Sequence, residues 1–311
     1  MCRLFVIGNG FDLTHQLPTS YENFKTYLNK FAEINEDNVD NFTIPYIEIS
    51  SDDVKAMDEK TAGIFLYNLL ENTENIGENW QNFEDALGRL NFRTVFYDNY
   101  LEVPDRDGDV DYFHTANNQE DLSAGIYESC RFIYDIFKDW IKGVQLNNIA
   151  ALERFNMIFD RNSLFLTFNY TRTLEDVYHI PPENICHIHG MVGEPLIVGH
   201  GLSADEIQSL HDTYAREFIG AEDNLTQTIR ELGKPVSARI NLFQDFFERL
   251  NNVTEIYSYG FSFANVDLPY IRRICKVVNT SNATWYQYTY NGSDCTDLLR
   301  DCGFEGEIRF W

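Results

Sequence analysis

The sequence predicts an α/β fold: a mostly parallel sheet with helices on both faces and a large, mainly helical insertion. Three observations predict it. A β-rich apolar run from Leu4 to Ile7 opens the chain and stops at a glycine turn. From about Leu164 to the end, short apolar runs alternate with segments of helical spacing. Between them, from about Thr19 to Arg161, the pattern is mainly helical. Strands alternating with helices imply crossover connections over a parallel sheet, a Rossmann-like arrangement. The chain then reads as a single α/β domain, its sheet supplied by residues 1–18 and 162–311, with 19–161 as the helical insertion subdomain.

Each element has a local reason. Thr19-x-x-Glu22 and Ser203-x-x-Glu206 are capping boxes, in which hydroxyl and carboxylate satisfy backbone N–H groups at a helix start. "TAGIFLYNLLENTE" and "AGIYESCRFIYDIFKDWIKGV" carry apolar residues at helical spacing. "SLFLTF" (163–168) reads as a strand, with Thr171 placed to cap the helix behind it. "ICHIHG" (185–190) and "LIVGHG" (196–201) read as short strands broken by glycine. Ile207, Leu210, Tyr214 and Phe218 share one helix face, and Ile240, Phe243, Phe246, Phe247 and Leu250 mark a further helix. "EIYSYGF" (255–261) is a strand, followed by a helix with Asp267 at its N-cap and Pro269 in its first turn. "ATWYQYTY" (283–290) is the last strand of the pattern.

Composition bounds the function. With 311 residues, 44% of them hydrophobic, the chain can bury a sizeable core. Its 24 Lys and Arg stand against 49 Asp and Glu, a net charge of -25, which repels polyanions and argues against nucleic acid as a partner. The start has no signal-peptide pattern, and no stretch approaches the roughly 18 apolar residues of a membrane span. No membrane partner and a cytoplasmic location are therefore expected. Cys2, Cys130, Cys186, Cys275, Cys295 and Cys302 form no CxxC pair and read as free thiols.

The strand ends gather the unusual residues. The first ends in Gly8-Asn9-Gly10, the second in Asn169-Tyr170-Thr171, the third in His189-Gly190, and "EIYSYG" in Gly260-Phe261-Ser262. Open parallel sheets bind ligands beyond the carboxyl ends of their strands, so these turns predict one shared crevice. The glycine turn is not a dehydrogenase fingerprint: the third glycine position holds Leu13, and no second strand follows nearby. A two-glycine turn can still bring backbone N–H groups to a phosphate. Asp12 fits such a phosphate poorly and fits a ribose, or a cap on its own turn, better. His187, His189 and His200 raise a metal-dependent phosphohydrolase as an alternative, although no HExxH or carboxylate cluster accompanies them. "DRDGDVD" (105–111) departs from a calcium loop in its glycine position and lacks the closing glutamate, so it reads as a solvated acidic loop and no metal is expected.

"LFVIGNGFDLTHQLPTSYENF", "NWQNFE", "FNYTRTLE", "HIHG" and "YGFSFANVDLPYI" together resemble the bacterial AbiH family of abortive-infection, phage-defence proteins. The "HG" and "NYT" segments are also similar, more distantly, to the sirtuin-like NAD-binding core. The resemblance implies an anti-phage protein that binds NAD and cleaves its nicotinamide–ribose bond. It does not imply a deacetylase, because the sirtuin zinc module needs cysteines in CxxC pairs. One departure is Phe261, where the family pattern leads one to expect histidine. On this resemblance Asn169 and His189 are the catalytic candidates: the amide orients a ribose hydroxyl or water, and the imidazole serves as general base. Gly8, Asn9, Gly10, Asp12, Tyr170, Gly190, Gly260 and Ser262 are the cofactor-binding candidates, with Glu84 and Asp267 accessory. A nucleotide small molecule is the expected ligand and a phage-derived component the expected trigger. An oligomer is left open, and a non-catalytic nucleotide sensor acting through a partner is the second reading.

Overall fold

The computed structural model describes residues 2–45, 47–49, 55–73, 79–99, 103–160, 162–288 and 294–311. They divide into two compact units. One comprises Met1–Ser20, Lys138–Ile197 and Pro235–Trp311, and the other Tyr21–Phe137 and Val198–Lys234.

The first unit is built on a six-stranded sheet: β1 (Cys2–Ile7), β2 (Leu164–Thr167), β3 (Ile185–His187), β4 (Val253–Tyr259), β5 (Thr284–Gln287) and β6 (Glu307–Phe310). The strands lie in the order β3-β2-β1-β4-β5-β6, and every pairing is parallel. This is the doubly wound, Rossmann-like order, in which the chain reverses direction across the sheet between β1 and β4.

β1 is central because all four of its apolar residues, Leu4, Phe5, Val6 and Ile7, are fully buried. Side chains alternate across a strand, so the run feeds two cores. Leu4 and Val6 pack with Leu164, Leu166, Ile256 and Trp285 beneath Ile271 and Ile274 of the helix Leu268–Val277. Phe5 and Ile7 pack on the opposite face with Phe165, Tyr259, Phe11, Phe155 and Leu174. The Phe5 ring lies 5.0 Å from Phe165 and 5.1 Å from Tyr257. Burying each such side chain contributes about 1.5–3 kcal/mol, which is why this short strand anchors the sheet.

The second unit is mainly helical, with Tyr21–Ala32, Glu59–Glu71, Tyr112–Arg131, Ala204–Glu217 and Glu222–Glu231 among its helices and one short antiparallel pair, Ile47–Ile49 with Lys55–Met57. Trp80 sits in an aromatic cluster with Tyr21, Phe24, Phe83 and Phe137 at centroid separations of 5.6–6.0 Å. The Ser203 capping box is complete, with Ser203 Oγ accepting from the Glu206 N–H and Glu206 accepting from the Ser203 N–H. In the acidic loop, Asp105 accepts the amides of Asp107 and Asp109, and Asp111 caps the helix Tyr112–Arg131. Among the described residues, no group of three His, Cys, Asp or Glu side chains could hold a metal.

Several local expectations change. "LIVGHG" forms no strand, only an isolated bridge from His200 to Gly233, because Gly199 takes a φ of +156° where its missing Cβ lets Leu232 approach. The helix expected around Ile240 breaks into Val236–Leu242 and Gln244–Glu248. Thr171 does not cap the following helix, since its hydroxyl donates to Asp12. Asp267 holds the N-cap position of Leu268–Val277 but makes no side-chain cap hydrogen bond. β6 follows the last expected strand and completes the sheet edge. Glu74, Arg161, Thr289 and Tyr290, at the ends of expected segments, lie outside the described residues. All six cysteines are free thiols. No helix among the described residues is long and apolar enough to cross a membrane.

Candidate functional site

The carboxyl ends of β1 and β4 meet through glycine. Gly260 has a φ of +62°, a left-handed conformation that glycine adopts without strain. A Cβ there would lie 2.5 Å from the Phe11 nitrogen, and one on Gly8 would lie 2.4 Å from the Gly260 oxygen. The close approach is sealed by hydrogen bonds from Gly8 N–H to the Tyr259 carbonyl and from Gly10 N–H to the Gly260 carbonyl, both 3.0 Å. Gly8 and Gly10 therefore spend their amides on chain packing. Asn9 reaches the other way, its side-chain amide donating to the Thr19 carbonyl at 2.9 Å.

Asp12 sits in the one-turn helix Gly10–Thr14 and is only 1% exposed. Its carboxylate does not turn back onto its own turn. Thr171 Oγ1 donates to Oδ2 at 2.6 Å and Thr173 Oγ1 to Oδ1 at 2.8 Å, tying the end of β1 to the segment after β2. Burial pushes the Asp12 carboxyl up to about 6, against the two threonine hydroxyls, the neighbouring Asn169 amide and the His187 charge, which all favour the ionised form.

Asn169, at the end of β2, is 5% exposed. Its backbone N–H donates to Thr167 Oγ1 and its carbonyl faces His187 Nδ1 at 3.1 Å. Its side chain is different. Neither Oδ1 nor Nδ2 meets hydrogen-bond geometry with any partner among the described residues, though the amide lies beside the Asp12 carboxylate. Most buried amides are satisfied, so this one marks a place where a further polar group fits.

The third strand ends at His187, so His189 lies beyond it and the two histidines do not share a strand face. His187 Nε2 lies 3.0 Å from Glu175 Oε1. Burial raises the Glu175 pKa, but the His187 hydrogen bond and charge outweigh it and hold this carboxyl below its usual range. His189, in the following turn, is 2% exposed, and its Nε2 lies 3.3 Å from Asp267 Oδ1. Phe168, Tyr170 and Tyr270 pack around its ring. Phe261, where histidine is expected from the resemblance, packs its ring against Phe168 at a tilt, with centroids 4.4 Å apart.

Two features fix this turn. Gly190 has a φ of +80°, and a Cβ on it would strike the Pro195 oxygen at 2.2 Å. Arg239 donates to the carbonyls of Ile188 at 2.7 Å and His187 at 3.1 Å, clamping the backbone just before His189. Tyr170 donates its hydroxyl to the Ile197 carbonyl at 2.8 Å. Thr173, Glu175 and Arg239 escape sequence reasoning because their partners lie far along the chain. Only the Thr171-x-Thr173 spacing hints at the paired hydroxyls.

The ends of β1, β2, β3 and β4 thus carry Asp12, Asn169, His187, His189 and Asp267 within one unit. Ser262, at the end of β4, is exposed. Glu84 belongs to the other unit, where its Oε1 pairs with Lys234 Nζ at 2.8 Å, both side chains being nearly inaccessible. His200 is in that unit too. Its Nε2 donates to the Ile229 carbonyl at 2.7 Å and its Nδ1 accepts from Leu202 N–H at 3.0 Å, so both ring nitrogens are engaged within the chain. Burial lowers its pKa.

No curated protein and no solved structure matches the chain. The family model described as bacteriophage abortive infection AbiH matches residues 4–289, most of the 311 residues, so the chain belongs to the AbiH family, whose role is abortive infection against bacteriophage.

Proposed function

We propose that the protein binds NAD at the carboxyl ends of β1 to β4 and hydrolyses its nicotinamide–ribose bond, withdrawing the dinucleotide during phage infection. The observation that carries this reading is the buried Asn169 carboxamide, which lies beside the Asp12 carboxylate and whose two polar atoms meet hydrogen-bond geometry with no partner among the described residues. It stands beside the switch point of a doubly wound sheet, where such folds take their ligands.

Nicotinamide leaves NAD as a neutral base, so the leaving group needs no general acid. What the site must do is hold the ribose, tolerate positive charge on the sugar and accept one proton from water. Asn169 orients a ribose hydroxyl or the attacking water. His189 takes the proton as water adds to C1′, and the Asp267 carboxylate beside Nε2 steadies the imidazolium. Water and NAD give ADP-ribose, nicotinamide and a proton. Because Asn169 and His189 are 5% and 2% exposed, substrate reaches them only when the residues over them move.

Purified protein, alone and with phage lysate, should release nicotinamide from NAD, and Asn169→Ala and His189→Ala should abolish release with the fold intact. Wild type that neither binds nor cleaves NAD under either condition overturns the reading. The burial of His189 among Phe168, Tyr170 and Tyr270 favours a second reading, a nucleotide sensor without turnover. Tight binding of NAD or ADP-ribose with no nicotinamide released would select it.

A further inference from the structure

We propose that the protein forms a two-fold dimer in which the β6 strands of two copies pair antiparallel, centred on Ile308. β6 ends the sheet, and among the described residues it pairs only with β5. It is held firmly on that side. Trp311 donates its backbone N–H to the Gln287 carbonyl at 3.1 Å and its indole N–H to the Tyr286 carbonyl at 3.2 Å. Backbone groups alternate sides along a strand. With those of Arg309 and Trp311 facing β5, the N–H and C=O of Ile308 and Phe310 face the open edge. Such an edge is a template for another strand, and Phe310 is 52% exposed beside it.

The charges identify the occupant as a second copy. Glu307 and Arg309 flank Ile308 on one face, joined by an exposed 2.7 Å ion pair that is worth little alone. An antiparallel pair centred on Ile308 sets Glu307 of each copy opposite Arg309 of the other and closes the four charges into one network. The two Ile308 residues then exchange reciprocal N–H to C=O bonds. Centring the pair one residue either way sets Glu307 against Glu307, or Arg309 against Arg309, so charge fixes the register. Over the rest of the surface a net charge of -25 drives copies apart, whereas this strand carries one charge of each sign. The Tyr257 and Tyr286 rings stack 4.5 Å apart, and the Arg309 guanidinium lies 6.0 Å from the Tyr286 ring centroid. That contact holds the arginine on the face where its new partner arrives.

Sedimentation velocity of the full chain at micromolar concentration tests this, and should show a species of twice the 36.3 kDa chain mass. Glu307→Arg and Arg309→Glu should each weaken dimerisation about 10- to 100-fold, because each puts two like-charge contacts into the dimer. Joining both changes in one chain, or mixing the two single variants, should restore it, since opposite charges face each other again. Both side chains are exposed, and circular dichroism checks that the variants keep their fold. A wild type that stays monomeric overturns the proposal and leaves the edge to a strand of other origin. A dimer that survives both single reversals overturns it too, and so does loss without rescue. None of these outcomes depends on the nucleotide reading.

Discussion

Asp12 and Thr171, 159 residues apart in the chain, are joined by a 2.6 Å hydrogen bond buried at the carboxyl end of the sheet. With Thr173 on the other carboxylate oxygen, this contact locks the turn after β1 to the turn after β2. It places an ionisable group beside the Asn169 amide, and its consequences can be measured.

The first concerns pH. Burial raises the Asp12 carboxyl from 3.8 to about 6 in the folded chain. A raised carboxyl favours folding fully below its ordinary pKa, and that contribution is lost as pH climbs through the folded value. Relative to Asp12→Asn, the wild type should lose about 3 kcal/mol of stability between roughly pH 4 and pH 7. Denaturant titrations of both proteins across that range check it. A stability difference independent of pH would show that Asp12 titrates normally.

The glycine junction gives a second prediction. At Gly260 an added Cβ meets the backbone of Gly10 and Phe11 at 2.5–2.6 Å, in a left-handed conformation. Gly260→Ala should cost ~3 kcal/mol or more, because neither backbone can give way without breaking the Gly10 to Gly260 hydrogen bond. Urea unfolding measures the loss, and a cost below ~1 kcal/mol would contradict the packing described for this junction.

Arg239 supports a third. Its guanidinium holds the carbonyls of His187 and Ile188, and the carbonyl of His189 in turn accepts the Ile197 N–H at 2.9 Å. Arg239→Met should cost about 1–3 kcal/mol and speed hydrogen exchange at the Ile197 amide more than in β1. Uniform exchange across both would mean that the arginine stabilises the unit without bracing this turn.

In the helical unit, the Lys234–Glu84 pair is nearly inaccessible on both sides. Removing the cation alone leaves a carboxylate in a dry setting, so Lys234→Met should cost about 3–5 kcal/mol, and Lys234→Met with Glu84→Leu clearly less. Thermal unfolding of the single and double variants gives the coupling. Additive losses would mean that the two groups do not depend on each other.

These contacts also explain what the sequence could convey. β1 was legible because four consecutive apolar residues feed two cores, and the Ser203 helix because its cap is made by residues three apart. β6 escaped notice because Glu307, Arg309 and Phe310 are exposed at the sheet edge, where no buried face imposes a pattern. The strand ends advertised Asn169, His189 and Gly260 as turn residues with unusual chemistry. Their partners did not advertise themselves: Thr171 looked like a helix cap, and nothing local ties Asp267 to His189 or Arg239 to Ile188. Residues 198–234 group with 21–137 in the helical unit although they follow β3 in the chain, a long-range association that no local periodicity records.

The most direct test is Asn169→Ala, followed by two readouts on the same preparation. Its carboxamide lies beside the Asp12 carboxylate but meets hydrogen-bond geometry with no partner among the described residues, so the variant should stay within about 1 kcal/mol of wild-type stability. Nicotinamide release from NAD should nevertheless fall to background. A variant destabilised by several kcal/mol that still releases nicotinamide at the wild-type rate would mark Asn169 as a structural residue and contradict the account.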